Sequence, residues 1–409
     1  MQKQNQIIRT LLASAIRPVV GLAITLALSS PSLAQRITDP ASLSKNAFQW
    51  NQQERELGFL HMDVVFRARE VPNGNKVHKL PPGKPIAAFG AGGEKEKELE
   101  DFMIKQKVAG FIILQDGKIR MEHYALGLSD TGRWTSQSVA KSVTSTLVGA
   151  AIKDGYIKSI EDYVTEYIPD LKGSAYDSVT IRHLLTMTTG VRWNENYSDP
   201  NSDIAKFYSD PVDPGIDATV SYMRRLPAEA KPGKKWVYKT GETDLLGVLV
   251  SSATGQTLSS YLSSKIWIPY GMERSASWIL DRTDHELAGC CLQMPLHDYA
   301  RFGQFILEGA RIHGESIVPD GWLQAATHTQ VPLWPGGGYG YQWWIFNNTF
   351  EALGIHGQVI HIDSARHLVV VINSAWPEAE SNERHTAVAN FLNTIAKEID
   401  KEKKKSPNP

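Results

Sequence analysis

The 409-residue chain has only two cysteines, and they are adjacent, Cys290 and Cys291. Neighbouring cysteines bridge only through a strained ring and no third is available, so a stapling disulfide framework is excluded. The expectation is two small apolar residues buried beside a helix. Charge of one sign is also missing. Lys plus Arg number 43 and Asp plus Glu 44, for a formal net charge of −1. Nucleic acid is therefore not expected as a partner, since that calls for a clustered basic face. After Ala34 no apolar run approaches the ~20 residues that span a bilayer. His-Glu-x-x-His is absent and the 12 histidines are scattered singly. His356 and His361, five apart on an expected strand, point to opposite faces, so neither a metal nor a cofactor is expected. There is no internal repeat of 20–50 residues, which excludes solenoids and propellers.

What is present is material for a large core: 42% hydrophobic residues and 11 tryptophans. At roughly 100–200 residues per domain, the length predicts two structural lobes. Met1–Ala34 carries Lys3, Arg9 and Arg17 and no acid, then an apolar run from Val19 to Leu28, then small residues at Ser32 and Ala34. That order reads as a secretory signal cleaved before Gln35, which predicts an exported, soluble, periplasmic protein with no membrane span after cleavage.

Residues 35–100 read as an irregular N-terminal extension, with a helix from Glu94 to Lys105. Val108–Leu114 and Ile119–Tyr124 are β-rich runs joined by Asp116-Gly117, a hairpin signal. From Ser138 to Ile152 apolar residues recur at helical spacing. The middle mixes short helices with Gly/Pro/Asn-rich connections. Tyr339–Phe346, Gln358–Ile362 and Leu368–Asn373 are expected strands, and Thr386–Ile399 an amphipathic helix before a disordered basic tail, 401–409. This predicts one enzyme-sized domain over 101–400. An antiparallel sheet, from 101–135 and 310–400, is flanked by helices, and a helical lobe, 136–309, is inserted into it.

The chemistry begins at Ser138-Val139-Ala140-Lys141. A serine hydroxyl is a poor nucleophile until a base takes its proton. Helix positions i and i+3 share a face, so the Lys141 amine can reach Ser138 Oγ. At the first turn the helix dipole favours a developing alkoxide, and the Ser138 N–H can point at an oxyanion. To act as a base, Lys141 must be held neutral by burial or a neighbouring cation or phenol. A second Ser-x-x-Lys, Ser42 to Lys45, follows no hairpin and opens no periodic helix, so it is set aside. Gly-x-Ser-x-Gly is missing around Ser138, which argues against an α/β-hydrolase. Further on, Tyr238-Lys-Thr240 precedes a helix, where a tyrosine either passes a proton or merely packs. Gly354-Ile355-His356-Gly357 enters the last strand pair, where a backbone N–H can complete an oxyanion hole opposite Ser138.

Ser138-x-x-Lys141, Tyr238-x-Thr240 and the glycine-containing strand after residue 350 together resemble the three motifs of serine β-lactamases and penicillin-recognising enzymes. His183-Leu-Leu-Thr-Met-Thr-Thr-Gly190, Asp298-Tyr-Ala-Arg-Phe-Gly303 and Tyr339-Gly-Tyr-Gln-Trp-Trp344 are similar to the class C-like branch. Ser-Val-Ala-Lys-Ser, Trp193-Asn-Glu-Asn-Tyr-Ser-Asp-Pro200 and Gly-Ile-His-Gly-Gln most resemble the 6-aminohexanoate-dimer hydrolase group. The likeness spans roughly residues 100–395 and implies an α/β (α+β) fold of the β-lactamase/transpeptidase type. It implies Ser138 as the acylated nucleophile, Lys141 as its proton acceptor, and Tyr238 as proton donor to the leaving group and then activator of water. The backbone N–H groups of Ser138 and Ile355 would form the oxyanion hole. Tyr197 would contact substrate near the scissile bond, with Trp193 and Trp236 as pocket walls or core.

The departures matter. Thr240 stands where β-lactamases carry Asn. Ala352-Leu353 replaces the Lys-Thr pair that holds a β-lactam carboxylate, with His356 as the nearest substitute for the cation. The aminohexanoate enzymes place an Asp about eleven residues after the counterpart of Tyr197; here that position is Tyr208, with Asp210 close by. The favoured expectation is a serine hydrolase of small linear amides or esters working through an acyl-enzyme. The alternatives are a class C β-lactamase or D-alanyl-D-alanine peptidase, and a non-catalytic binding protein on the same scaffold.

Overall fold

A computed structural model describes residues 38–405. The expected signal segment, Met1–Ala34, and the last four residues lie outside the described residues. The centre is an eight-stranded antiparallel sheet. Its order from one edge is Lys118–Tyr124, Val108–Gln115, Leu368–Ser374, Gln358–Asp363, Thr349–Gly354, Trp344–Phe346, Gly337–Tyr339 and Val331–Trp334. Both ends of the chain thus build one sheet. The first hairpin turns on Asp116 (φ 51°) and Gly117 (φ 70°), two successive left-handed residues whose twist matches that of the flanking strands.

The central strands are buried on both faces, and period-two alternation sorts their side chains. Ile112, Leu114, Val369 and Val371 enter the core shared with the helical lobe. Phe111, Ile113, Val370 and Ile372 enter a second core, under helices Glu96–Lys105 and Asn382–Lys405, where Phe102 and Phe391 stack with centroids 4.0 Å apart. A sheet covered on both sides reads as near-continuous apolar runs.

Five expectations are corrected. Residues 35–100 are not an irregular extension: they contain helices Gln52–Leu60 and Met62–Val65 and the strand Ala68–Val71. That strand joins a second antiparallel sheet with Ala276–Ile279, Leu292–Pro295 and Arg133–Thr135, so the inserted lobe is not purely helical. The available signal was Asn51-x-x-Glu54, which forms a reciprocal capping box. Tyr339–Phe346 is not one strand but the hairpin Gly337–Tyr339 and Trp344–Phe346; Gln342 between them is left-handed, φ 64°. The terminal helix runs through Lys405, with Lys401 paired to Glu398 and Glu94, so 401–405 are helical rather than a tail. Finally, Cys290 and Cys291 are buried as expected but joined to each other, S–S 2.04 Å, at a turn where Cys291 is left-handed, φ 67°. No described helix is long and apolar enough to cross a membrane.

Candidate active site

Strand Arg133–Thr135 ends in a sharp corner. Gln137 takes φ 44°, a 3₁₀ turn covers Gln137–Val139, and helix Ala140–Lys153 follows directly. Ser138 therefore sits in the turn just ahead of the α-helix and not inside it. Lys141, one turn on, is 1% exposed. Its Nζ lies 3.2 Å from Ser138 Oγ, 3.0 Å from Thr240 Oγ1 and 2.6 Å from the Gly289 carbonyl oxygen. Burial pushes its pKa down to about 8, opposed by the negative charges of Glu195 and Asp244. A neutral amine beside the serine hydroxyl is the arrangement that nucleophile activation needs.

Tyr238 comes from the loop before helix Thr240–Thr254. Its ring stacks on Trp344, centroids 5.6 Å apart at 22°, and Lys141 Nζ lies 5.2 Å from its centre. Desolvation holds the phenol well above its ordinary 10, with a hydrogen bond to Ser138 acting in the opposite direction. The phenol is therefore protonated at neutral pH.

The edge of strand Thr349–Gly354 abuts the corner that carries Ser138. A Cβ on Gly354 would meet the Ser136 carbonyl at 2.8 Å and the Ser138 nitrogen at 2.9 Å, so only glycine allows this approach. Ile355 follows it. Among the described residues, neither the Ser138 N–H nor the Ile355 N–H has a protein acceptor. Two unpaired donors beside Ser138 Oγ suit an oxyanion.

The structure thus brings Ser138, Lys141, Tyr238, Thr240 and the Gly354-Ile355 edge together. Tyr197 lines the same cavity, its ring 5.8 Å from Phe48 and its hydroxyl donating to Glu195 Oε1 at 2.6 Å. His356 is placed differently from expectation. It occupies the turn between two strands, φ 60°, with Nδ1 2.8 Å from the Trp376 carbonyl oxygen and its ring against Phe59. Burial drives its pKa down to about 4, so it is neutral and does not replace the missing lysine. Nor do the two motif positions: Ala352 faces the core and Leu353 packs against the second core. Tyr208 lines the cavity with its hydroxyl 3.8 Å from Cys290 Sγ, whereas Asp210 does not reach the wall.

Sequence reasoning missed four contributors. Glu195 accepts hydrogen bonds from both the amide and the hydroxyl of Thr240. Gly289 supplies the carbonyl that holds Lys141, and Asp244 Oδ1 in turn accepts from the Gly289 N–H at 2.8 Å. Burial raises the Asp244 pKa to about 7. The N-terminal segment supplies Phe48, Phe59 and Met62 to a broad cavity of about 2190 Å³ that opens over Ser138. Among the described residues one His/Asp group at metal-ligand spacing exists, Asp217, Asp281 and His285. None of its members lines that cavity except Asp281.

Comparison with known proteins agrees with this architecture. The sequence profile of the Beta-lactamase family matches residues 96–393. A 6-aminohexanoate-dimer hydrolase of Paenarthrobacter ureafaciens is 27% identical over 342 residues, covering 78% of this chain and 86% of that protein. A Bacillus anthracis structure provisionally described as a 6-aminohexanoate-dimer hydrolase superposes with TM-score 0.75 at 26% identity, covering 85% of this chain and 95% of the other. A class C β-lactamase shares the fold at TM-score 0.55 and 14% identity, over 77% of this chain and 96% of its own. With an antiparallel sheet flanked by helices, a lysine-paired serine at its corner and a profile match over most of its length, the chain belongs to the Beta-lactamase family and is a serine hydrolase.

Proposed function

We propose that the protein hydrolyses small linear amides or esters through an acyl-enzyme on Ser138. The observation that carries this reading is the buried Lys141 amine 3.2 Å from Ser138 Oγ, beside two unpaired backbone N–H donors. Ser138 Oγ bonds to the substrate carbonyl carbon as its proton passes to Lys141 Nζ. The carbonyl π pair moves onto oxygen, in front of the Ser138 and Ile355 N–H groups. The C–N or C–O bond then breaks, and the leaving atom takes a proton through Tyr238, which Lys141 replenishes. Water enters, loses a proton along the same route and releases the acid, restoring Ser138.

The substrate class follows from what the walls offer. A β-lactam carboxylate would meet Leu353 and a neutral His356 where a cation is needed, which disfavours penicillins and cell-wall peptides. Tyr208 against Cys290 presents no carboxylate to a substrate ammonium, so an uncharged or differently placed terminus is favoured over an aminohexanoate oligomer. Tyr197 and Phe48 flank the opening, positioned to touch the acyl or amine portion. The basic, apolar, small-residue pattern of Met1–Ala34 supports action outside the cytoplasm, in a periplasm.

Intact-mass spectrometry tests this. The purified chain is incubated with a fluorophosphonate and, separately, with a penicillin, beside Ser138→Ala. A fluorophosphonate adduct lost in the variant, without a lasting penicilloyl adduct, is expected. A long-lived penicilloyl adduct on Ser138 would move the assignment to the cell-wall enzymes. No adduct from either reagent would favour a binding protein.

A further inference from the structure

Glu195 receives four hydrogen bonds. Oε1 accepts from the Tyr197 hydroxyl at 2.6 Å and from the Thr240 hydroxyl; Oε2 accepts from the Thr240 N–H at 3.0 Å and from the Trp193 indole N–H. An ionised carboxylate has about four lone-pair sites and no proton. All four are occupied, so Glu195 has no capacity left for a substrate cation. Its work is directed inward.

That work is visible in the proton count. The Thr240 hydroxyl has one proton, and its bond to Glu195 uses it. Thr240 Oγ1 therefore faces Lys141 Nζ, 3.0 Å away, purely as an acceptor. The Gly289 carbonyl, 2.6 Å from the same nitrogen, is an acceptor by nature. A neutral lysine amine has two protons and one lone pair. With both protons directed to Thr240 and Gly289, the lone pair is left facing Ser138 Oγ at 3.2 Å.

We propose that Glu195 is a positioning residue for the general base: by fixing the direction of the Thr240 hydroxyl it aims the Lys141 lone pair at Ser138. The inference rests on the reading of Ser138 as nucleophile and Lys141 as base. It also accounts for Thr240. An asparagine there presents a fixed carbonyl oxygen to the lysine, whereas a threonine hydroxyl can turn and needs a neighbour to orient it. Glu195 acts on the charge of the base as well, since its negative charge favours the protonated amine against burial.

Glu195→Gln separates these effects. The new amide NH₂ must face either two fixed N–H donors or two hydroxyls that can rotate, and it settles on the hydroxyls. Thr240 then accepts from that amide and turns its own proton onto the Lys141 lone pair, drawing it away from Ser138. The readout is the rate of fluorophosphonate adduct formation on Ser138 across a pH range of about 6 to 10, bracketing the Lys141 titration. Glu195→Gln is expected to lower the plateau rate by ~10²-fold, within the usual range for a base. It is also expected to move the midpoint to lower pH, because removing the anion makes the amine easier to deprotonate. Thr240→Val removes the oriented acceptor and should lose a similar factor. The double variant should lose no more than the larger single loss, as coupled residues do.

A full plateau rate in Glu195→Gln overturns the proposal. So do additive losses in the double variant, or a slowed Glu195→Gln whose midpoint is unmoved and whose melting temperature falls. If Glu195→Gln does not fold, Thr240→Val decides, and a full rate there overturns the proposal. Failure of the underlying reading looks different, because the wild type itself would then go unlabelled or Ser138→Ala would still be labelled.

Discussion

The Gly289 carbonyl oxygen accepts a 2.6 Å hydrogen bond from Lys141 Nζ, anchoring the amine from a strap 148 residues away in sequence. The strap is itself pinned twice. Its Gly289 N–H donates to Asp244 Oδ1 at 2.8 Å, and the Thr144 hydroxyl donates to the Ala288 carbonyl at 2.8 Å. Helix Ala140–Lys153, helix Thr240–Thr254 and the strap therefore share one polar junction inside an otherwise apolar core. Such a buried network is specific when every donor is matched, and it leaves the amine little freedom to wander from Ser138.

The first prediction concerns pH. Burial lowers the Lys141 pKa from the ordinary 10.5 to about 8. Acylation requires the neutral amine, so its rate should rise as pH passes through about 8 and then level off. Stability moves in the same direction: between about 8 and 10.5 the unfolded chain binds a proton at this lysine that the folded one does not, so folding becomes more favourable as pH climbs. Adduct formation on Ser138 followed against pH checks the first statement, and denaturant melts at matched pH check the second. Lys141→Ala should lose ~10³ in rate, within the usual range for a general base, and flatten the profile.

Gly354→Ala is the second. The added methyl would need to sit 2.8 Å from the Ser136 carbonyl oxygen and 2.9 Å from the Ser138 nitrogen, both backbone atoms that cannot step aside. The strand edge must retreat, carrying the Ile355 N–H away from its partner across the oxyanion site. A loss of ~10² to 10³ in acylation rate is expected, about the cost of one oxyanion donor. Binding of an ester in the cavity need not weaken in proportion, so the fall should appear in kcat more than in KM. An equal rise in KM with kcat intact would show that the edge does not serve the oxyanion.

The site was legible where chemistry is local in sequence, and hidden where it depends on long-range contact. Ser138 and Lys141 stand three residues apart across the entry to one helix, Tyr238 and Thr240 two apart across the entry to another, and Gly354 ends a strand that Ile355 follows. Each pattern has a physical spacing that can be read. Gly289 holds the base through a carbonyl, which every residue type possesses, so no side chain advertised it. Phe48 reaches Tyr197 and Tyr208 from a segment whose short 3₁₀ turn, Ala47–Gln49, has too few residues to show periodicity. Glu195 lay in plain view between Trp193 and Tyr197, yet its role exists only because Thr240 folds onto it. The sheet was readable for the same reason as the motifs: Asp116-Gly117 and the β-rich runs at Val108–Gln115 and Leu368–Ser374 encode their own pairing.

The third prediction tests the cysteine pair. Cys290 and Cys291 are bonded to each other at the cavity wall, directly after the residue that holds Lys141. Denatured without reductant, the protein should take up no iodoacetamide, and after reduction it should take up two alkyl groups, read by intact mass. Two alkyl groups before reduction would show free thiols, the arrangement expected from the sequence.

The last concerns the leaving group. Desolvation keeps the Tyr238 phenol protonated at neutral pH, and its ring, 5.2 Å from Lys141 Nζ and lining the same cavity as Ser138, stands where a proton can pass between the serine and the departing atom. An amine or alkoxide is a poor leaving group as an anion and must take that proton as the bond breaks, whereas a nitrophenolate departs without one. Tyr238→Phe keeps the ring, its stacking on Trp344 at 5.6 Å and its place beside Lys141, and deletes only the hydroxyl. The variant should therefore lose ~10² to 10⁴ on amides and alkyl esters, the range of a lost acid–base group, while hydrolysing p-nitrophenyl esters within about tenfold of the wild type. Parallel kcat/KM measurements on an anilide, an ethyl ester and a p-nitrophenyl ester of one acyl group make the comparison. Equal losses on all three would show that the phenol acts before the leaving group departs, in activating Ser138, and would hand proton delivery to Lys141 alone.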